Sequence, residues 1–80
     1  MLKLNILTPE KEIFSGEIIS LTATAADGEI GILANHAPLI TALKKGRLEI
    51  EITEAESKKF EIEQGLLKVS NNQAFALIYQ

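Results

Sequence analysis

Apolar residues recur at every second position along most of this chain, and the runs are cut short at even intervals. Arg47-Leu48-Glu49-Ile50-Glu51-Ile52-Thr53 is the cleanest case. Leu48, Ile50 and Ile52 share one side, and Arg47, Glu49 and Glu51 share the other. A period of two is the mark of a half-buried β-strand, because successive side chains point to opposite faces of a sheet. Leu2, Leu4 and Ile6 repeat the pattern, as do Ile19, Leu21, Ala23 and Ala25, and Phe60-Glu61-Ile62-Glu63. The breakers are Thr8-Pro9, Ser15-Gly16, Asp27-Gly28, Asn35 to Pro38, Lys44-Lys45-Gly46, Glu54 to Ser57, Gln64-Gly65 and Asn71-Asn72. Their spacing of roughly 7 to 12 residues is the rhythm of a β-sandwich or barrel. No interval accommodates an ordinary helix of about eleven residues. The connections are too short for crossovers, so the strands are expected to pair antiparallel, with Glu54 to Lys59 as a hairpin loop.

Two segments depart from the rule that polar residues face outward. Leu39 to Leu43 is apolar on both faces except at Thr41, and Ala74 to Tyr79 is apolar on both faces throughout. Two readings are open: a central strand covered on both sides, or a sheet face presented to a partner.

Eighty residues make one small domain, spanning residues 1–80, with little room for a deep cleft. The chain has no cysteine, which removes disulfides, Cys-based zinc sites and a thiol nucleophile together and favours a reducing compartment. Eleven acids against eight Lys and Arg give a formal net charge of −3, with no basic stripe of the kind nucleic acids require. No apolar run approaches the length of a membrane-spanning helix, and the N-terminus has no signal-peptide pattern.

Catalytic signals are weak. His36 is the only histidine. Asp27, Glu29 and His36 offer one imidazole and two carboxylates, short of what a transition-metal site usually gathers. The serines have no nucleophile elbow, and Gly28-Glu29-Ile30-Gly31 lacks the Lys-Ser/Thr ending and following helix of a phosphate loop. The acids between Glu49 and Glu63 alternate with apolar residues and belong on a solvated face, where Arg47, Lys58 and Lys59 offer cross-strand partners. The chain is therefore read as non-catalytic, with no cofactor and no bound metal.

The most distinctive stretch runs from Gly28 to Gly46: Gly-Glu-Ile-Gly-Ile-Leu-Ala-Asn-His-Ala-Pro-Leu-Ile-Thr-Ala-Leu-Lys-Lys-Gly. With Lys3 to Glu10, Phe14-Ser15-Gly16 and Gly65 to Val69, all in order, it resembles the N-terminal β domain of the epsilon subunits of F-type ATP synthase, called delta in mitochondria. The resemblance implies an all-β fold, a flattened antiparallel β-sandwich of two packed sheets. It implies a non-catalytic central-stalk (rotor) subunit that binds the gamma subunit and the polar loops of the c-ring. Such a subunit helps couple proton-driven rotation to ATP synthesis, without membrane insertion or nucleic-acid binding. It would work on the cytoplasmic face of a bacterial inner membrane, as a peripheral part of the complex.

Matched position by position, the resemblance assigns Asp27, Gly28, Glu29, Ile30, Gly31 and His36 to the c-ring contact. It assigns His36, Ala37, Pro38 and Thr41 to the gamma contact. Basic, polar ring loops would complement exposed Asp27 and Glu29. The family commonly continues into two C-terminal helices that regulate hydrolysis. This sequence is read as having no such helical hairpin, and it ends in Ala76-Leu77-Ile78-Tyr79-Gln80 rather than the usual acidic-alanine strand end. The alternative reading is a generic small β-sandwich adaptor that binds a protein partner at a sheet edge.

Overall fold

The computed structural model describes residues 1–80 and is built of eight strands and no helix. They are β1 (Leu2–Leu7), β2 (Glu12–Ile18), β3 (Ser20–Ala25), β4 (Gly28–Leu33), β5 (Leu39–Thr53), β6 (Glu56–Ile62), β7 (Gln64–Ser70) and β8 (Gln73–Tyr79). Hydrogen bonding runs β2-β1-β8-β7-β5-β3-β4, with β6 also paired to β5. The all-β fold expected from the period-two pattern is present, as the sandwich that the family resemblance implies. Its two layers are joined through β5 into one hydrogen-bonded sheet that folds over on itself.

β5 is where the layers meet. Leu39 to Leu43 pair with β7, while Gly46 to Thr53 pair with β6. The first half thus closes a layer with β7, β8, β1 and β2, and the second half belongs to a layer with β3, β4 and β6. The sequence pattern puts a break at Lys44-Lys45-Gly46; the structure instead carries one 15-residue strand through it. The β3–β5 register jumps from Ala23↔Leu48 to Ala25↔Leu43, so residues 44–47 bulge opposite Thr24 alone. Such a bulge bends the strand and sharpens its twist. The Arg47 amide, released from the ladder, donates to Thr24 Oγ1 at 3.3 Å. The Thr24 side chain occupies the space that a Cβ on Gly46 would need, so the bend requires glycine there.

Two other crossings between layers are single-residue corners. Ile19 links β2 to β3, and Glu63 links β6 to β7; their amides donate to Glu51 O and Tyr79 O, each at 2.7 Å. The corner at Ile19 shifts the alternation by one, so Ile18 and Leu21 are buried while Ile19 points outward. The fourth crossing, residues 34–38 between β4 and β5, is the longest.

Between the layers lie 17 buried residues, all apolar. One layer contributes Leu2, Leu4, Ile6, Ile18, Leu43, Leu67, Val69 and Ile78, and the other Leu21, Ile32, Leu48, Ile50 and Ile62, with alanines at 23, 25, 74 and 76.

Three further local expectations change. β1 and β8 pair in parallel, from Lys3↔Gln73 to Leu7↔Leu77. Short connections dictate antiparallel pairing only between strands adjacent in sequence, and these two are the first and last. The hairpin loop expected at Glu54 to Lys59 shrinks to Glu54-Ala55, because Ser57, Lys58 and Lys59 already pair with β5. Ser15-Gly16 and Gln64-Gly65 lie inside strands rather than in turns. Phe14 covers the bare Cα of Gly16, its ring 3.5 Å from where a Cβ would sit, and Gly65 gives close approach to β8.

Candidate functional site

The residues that the resemblance assigns to partners fall in two places. Asp27 occupies the two-residue turn between β3 and β4, and it is exposed. Gly28 follows at φ 119°, a conformation that favours glycine. From there β4 alternates. Glu29 and Gly31 point outward, opposite Thr24 and Thr22, whereas Ile30 lies opposite buried Ala23 and packs on the core. Ile30 is half-buried and supports the turn from beneath.

Glu29 is not a free acid. Its Oε2 lies 2.8 Å from Arg47 Nη2, and Arg47 Nε also bonds Glu49. The cross-strand pairing of Arg47 with Glu61 does not become an ion pair; the guanidinium turns instead along its own strand and across β3. Arg47 accordingly titrates above its ordinary value, through its hydrogen bond to Glu49 first and the charge of Glu29 second. Glu49 is held below the usual carboxylate value, mainly by the Arg47 hydrogen bond and against a smaller cost of desolvation.

His36, Ala37 and Pro38 sit in the crossing from β4 to β5, at the other end of β4. The five steps from Gly28 to Leu33 separate them from the Asp27 turn by about 16 Å of strand. The structure therefore does not gather Asp27, Glu29 and His36 into one cluster. No group of three His, Asp or Glu side chains converges anywhere in the chain. His36 is half-buried; its amide donates to Leu33 O at 3.3 Å, and its Nδ1 lies 2.7 Å from Ala37 O. Thr41 is opposite buried Leu67, on the core side of the ladder, and its half-buried hydroxyl donates weakly to Ala42 O at 3.4 Å.

The exposed residue beside it is Ile40, at 66%. Registered across the sheet, Ile40 faces Lys68, then Phe75, then Asn5. One row along, Ala42 faces Leu66, Leu77 and Leu7. Leu66 is 48% exposed, Phe75 49% and Tyr79 42%. The outer face of the first layer thus groups apolar side chains on β5, β7 and β8 around Lys68, with a shallow groove lined by Leu66, Lys68, Phe75 and Leu77. The Ala74–Tyr79 segment is therefore not covered on both sides within the chain. β8 is central, with both edges paired, and Phe75, Leu77 and Tyr79 face outward. The sequence pattern marked both this segment and Leu39–Leu43, which holds Ile40, but not Leu66, and only strand register shows that they share one face. The free edges are those of β2, β4 and β6, so strand addition at β8 has no open edge to use.

The comparisons agree with this architecture. Residues 1–77 match the family model described as ATP synthase, Delta/Epsilon chain, beta-sandwich domain. An ATP synthase epsilon chain of Chlorobium limicola is 43% identical over 75 residues, covering 94% of this chain and 85% of that one. The epsilon chain of Nitratiruptor sp. is 44% identical over 77 residues, covering 96% of this chain and 60% of its own length. Among solved structures, a chain of the Euglena gracilis mitochondrial ATP synthase OSCP/F1/c-ring assembly superposes with a TM-score of 0.91 at 22% identity, over 99% of this chain and 51% of that one. A chain of the Tetrahymena thermophila mitochondrial ATP synthase central stalk and c-ring gives 0.84 at 19%, over 99% and 63%. These two likenesses concern the fold. With a family model spanning nearly its whole length and relatives above 40% identity, the chain belongs to the ATP synthase delta/epsilon β-sandwich family.

Proposed function

We propose that this chain is a non-catalytic subunit of the central stalk of an F-type ATP synthase. In this reading it binds the gamma subunit and the c-ring and helps couple proton-driven rotation of the ring to ATP synthesis on other subunits. It is peripheral, on the cytoplasmic face of a bacterial inner membrane. No helix is long and apolar enough to cross a membrane, so attachment in this reading comes through the complex.

The observation that carries the proposal is the exposed apolar face of the first layer. A surface combining Ile40, Leu66, Phe75 and Tyr79 is costly to leave in water and fits a permanent protein partner, here gamma. His36, Ala37 and Pro38 adjoin it in sequence and extend the gamma contact, with Thr41 supporting from the core side. The ring contact is assigned to the Asp27–Gly31 turn and strand, with His36 at its far end. A ring that touches both must span β4. The sandwich suits the task mechanically, since its layers share one core and are joined through a continuous strand, so load applied at one face is carried to the other.

The test is capture of the chain on purified gamma, and on c-ring in membranes, at low and high salt. One-to-one capture by gamma is expected. Glu29→Lys should weaken ring coupling at low salt, where exposed charges act over the longer range, and less so at high salt. Normal proton pumping by that variant at low salt would remove Glu29 from the contact. Absence of gamma capture in either buffer would remove the proposal.

A further inference from the structure

The 34–38 crossing is fastened by a single device. Asn35 adopts φ 65°, a left-handed conformation that asparagine tolerates better than other residues with a Cβ. Its amide donates to Asn72 Oδ1, and Asn72 Nδ2 donates back to Asn35 Oδ1 at 3.2 Å. Asn72 belongs to the Asn71-Asn72 turn between β7 and β8, where both residues have positive φ, 51° and 59°. This is the two-residue hairpin turn whose twist matches that of its strands. The Asn72 carbonyl also accepts from the Lys3 amide at 3.0 Å. One residue thus ties the crossing, the β7–β8 turn and the start of β1 together.

The ladder between β5 and β7 ends at Leu39↔Val69. Beyond it, the other hydrogen bonds of residues 34–38 run to near neighbours in sequence: His36 to Leu33 and His36 to Ala37. The paired carboxamides are therefore what fixes the crossing against the first layer. Asn71 and Gln73 flank Asn72 and line the end of the apolar groove, so the same turn adjoins both surfaces assigned to partners.

We infer that Asn72 is a positioning residue, which through Asn35 holds His36, Ala37 and Pro38 in fixed register with the apolar face so that both meet one partner together. This rests on the proposed gamma contact. The role is one of preorganisation: a crossing already held in its bound shape loses less freedom on binding.

Glycine variants isolate the side chain, because glycine keeps the positive φ that each turn needs. Two readouts separate the parts of the inference. In the free chain, amide hydrogen exchange at Asn35 and His36 should speed up about tenfold in Asn72→Gly, the scale of one or two ordinary hydrogen bonds lost, while core-strand amides are unchanged. Unchanged exchange at those amides would overturn the latch whatever gamma does. In titrations with purified gamma, Asn72→Gly, which removes both bonds, should weaken binding about tenfold; Asn35→Gly, which keeps the main-chain amide bond to Asn72 Oδ1, should weaken it less; and the double variant should be no weaker than Asn72→Gly alone. Additive losses, or wild-type affinity in Asn72→Gly, would overturn the positioning role. Failure of the wild-type chain itself to bind gamma would instead overturn the proposed function and the positioning role with it, leaving the exchange result to decide the latch.

Discussion

The two outer faces of the sandwich are built from the same kind of strand and differ in nearly everything they show to water. Across the first layer run Ile40, Leu66, Phe75, Leu77 and Tyr79, interrupted by Lys68 and Asn5. Across the second run Glu29, Thr24 and Arg47, then Gly31, Thr22, Glu49 and Lys59, then Ser20, Glu51 and Ser57, with Leu33 at the rim. The second face satisfies itself: Arg47 bridges Glu29 and Glu49, and Ser20 Oγ donates to Glu51 at 3.2 Å. On the first, side-chain hydrogen bonds are confined to the β1–β2 end, where Asn5 Nδ2 donates to Glu12 Oε2 at 2.9 Å and to Ser15 Oγ at 3.2 Å; none joins the apolar side chains of β5, β7 and β8. Both layers bury the same core, so the difference is not one of folding. In the proposed reading, the first face is the one that a partner covers.

The shared core gives the largest expected effect. Leu67→Ala beneath the first face and Leu48→Ala beneath the second should each lower stability by about 2–5 kcal/mol in urea titrations, since each leaves a cavity among fully buried neighbours. A loss confined to one of them would break the comparison by showing that the layers do not depend on one core.

Next is the apolar face itself. Phe75→Asp should cost about 2 kcal/mol or more of gamma binding, roughly thirtyfold in affinity, because it sets a charge among residues that would be desolvated. Its effect on thermal stability should stay within about 0.5 kcal/mol, as for most exposed positions.

The smallest effect concerns the polar face and acid. Arg47 holds the Glu49 carboxyl below its ordinary value. A depressed carboxylate contributes stability above its unfolded-state value and loses it as pH falls through the folded-state value. Arg47→Ala should therefore reduce the fall in melting temperature across that acid range, while leaving gamma capture intact. An unchanged acid profile would mean that the Arg47–Glu49 bond does not persist in solution.

How much of this was legible beforehand follows from what alternation can and cannot encode. It gave Leu2, Leu4, Ile6, Leu48 and Ile50 as inward residues, because a period of two needs no knowledge of neighbours. It marked β8 as apolar on both faces. It could not show that Ile40 and Leu66 complete that surface, because register between strands 26 residues apart in sequence depends on the whole sheet. The break expected at Lys44-Lys45-Gly46 became a bend, since glycine and lysines interrupt a pattern whether the strand stops or turns. The Arg47–Glu29 pair was hidden for the same reason as the β1–β8 pairing: both join elements that are distant in the chain. Asn35 and Asn72 each looked like an ordinary turn residue, and nothing local announced that they meet.

The most direct test of the central claim is calorimetric titration of purified gamma with the wild-type chain, Phe75→Asp and Arg47→Ala at low and high salt. The account expects one-to-one binding that changes little with salt, is retained in Arg47→Ala and is weakened about thirtyfold in Phe75→Asp. Wild-type affinity in Phe75→Asp, with loss in Arg47→Ala, would contradict it and move the docking surface to the opposite face.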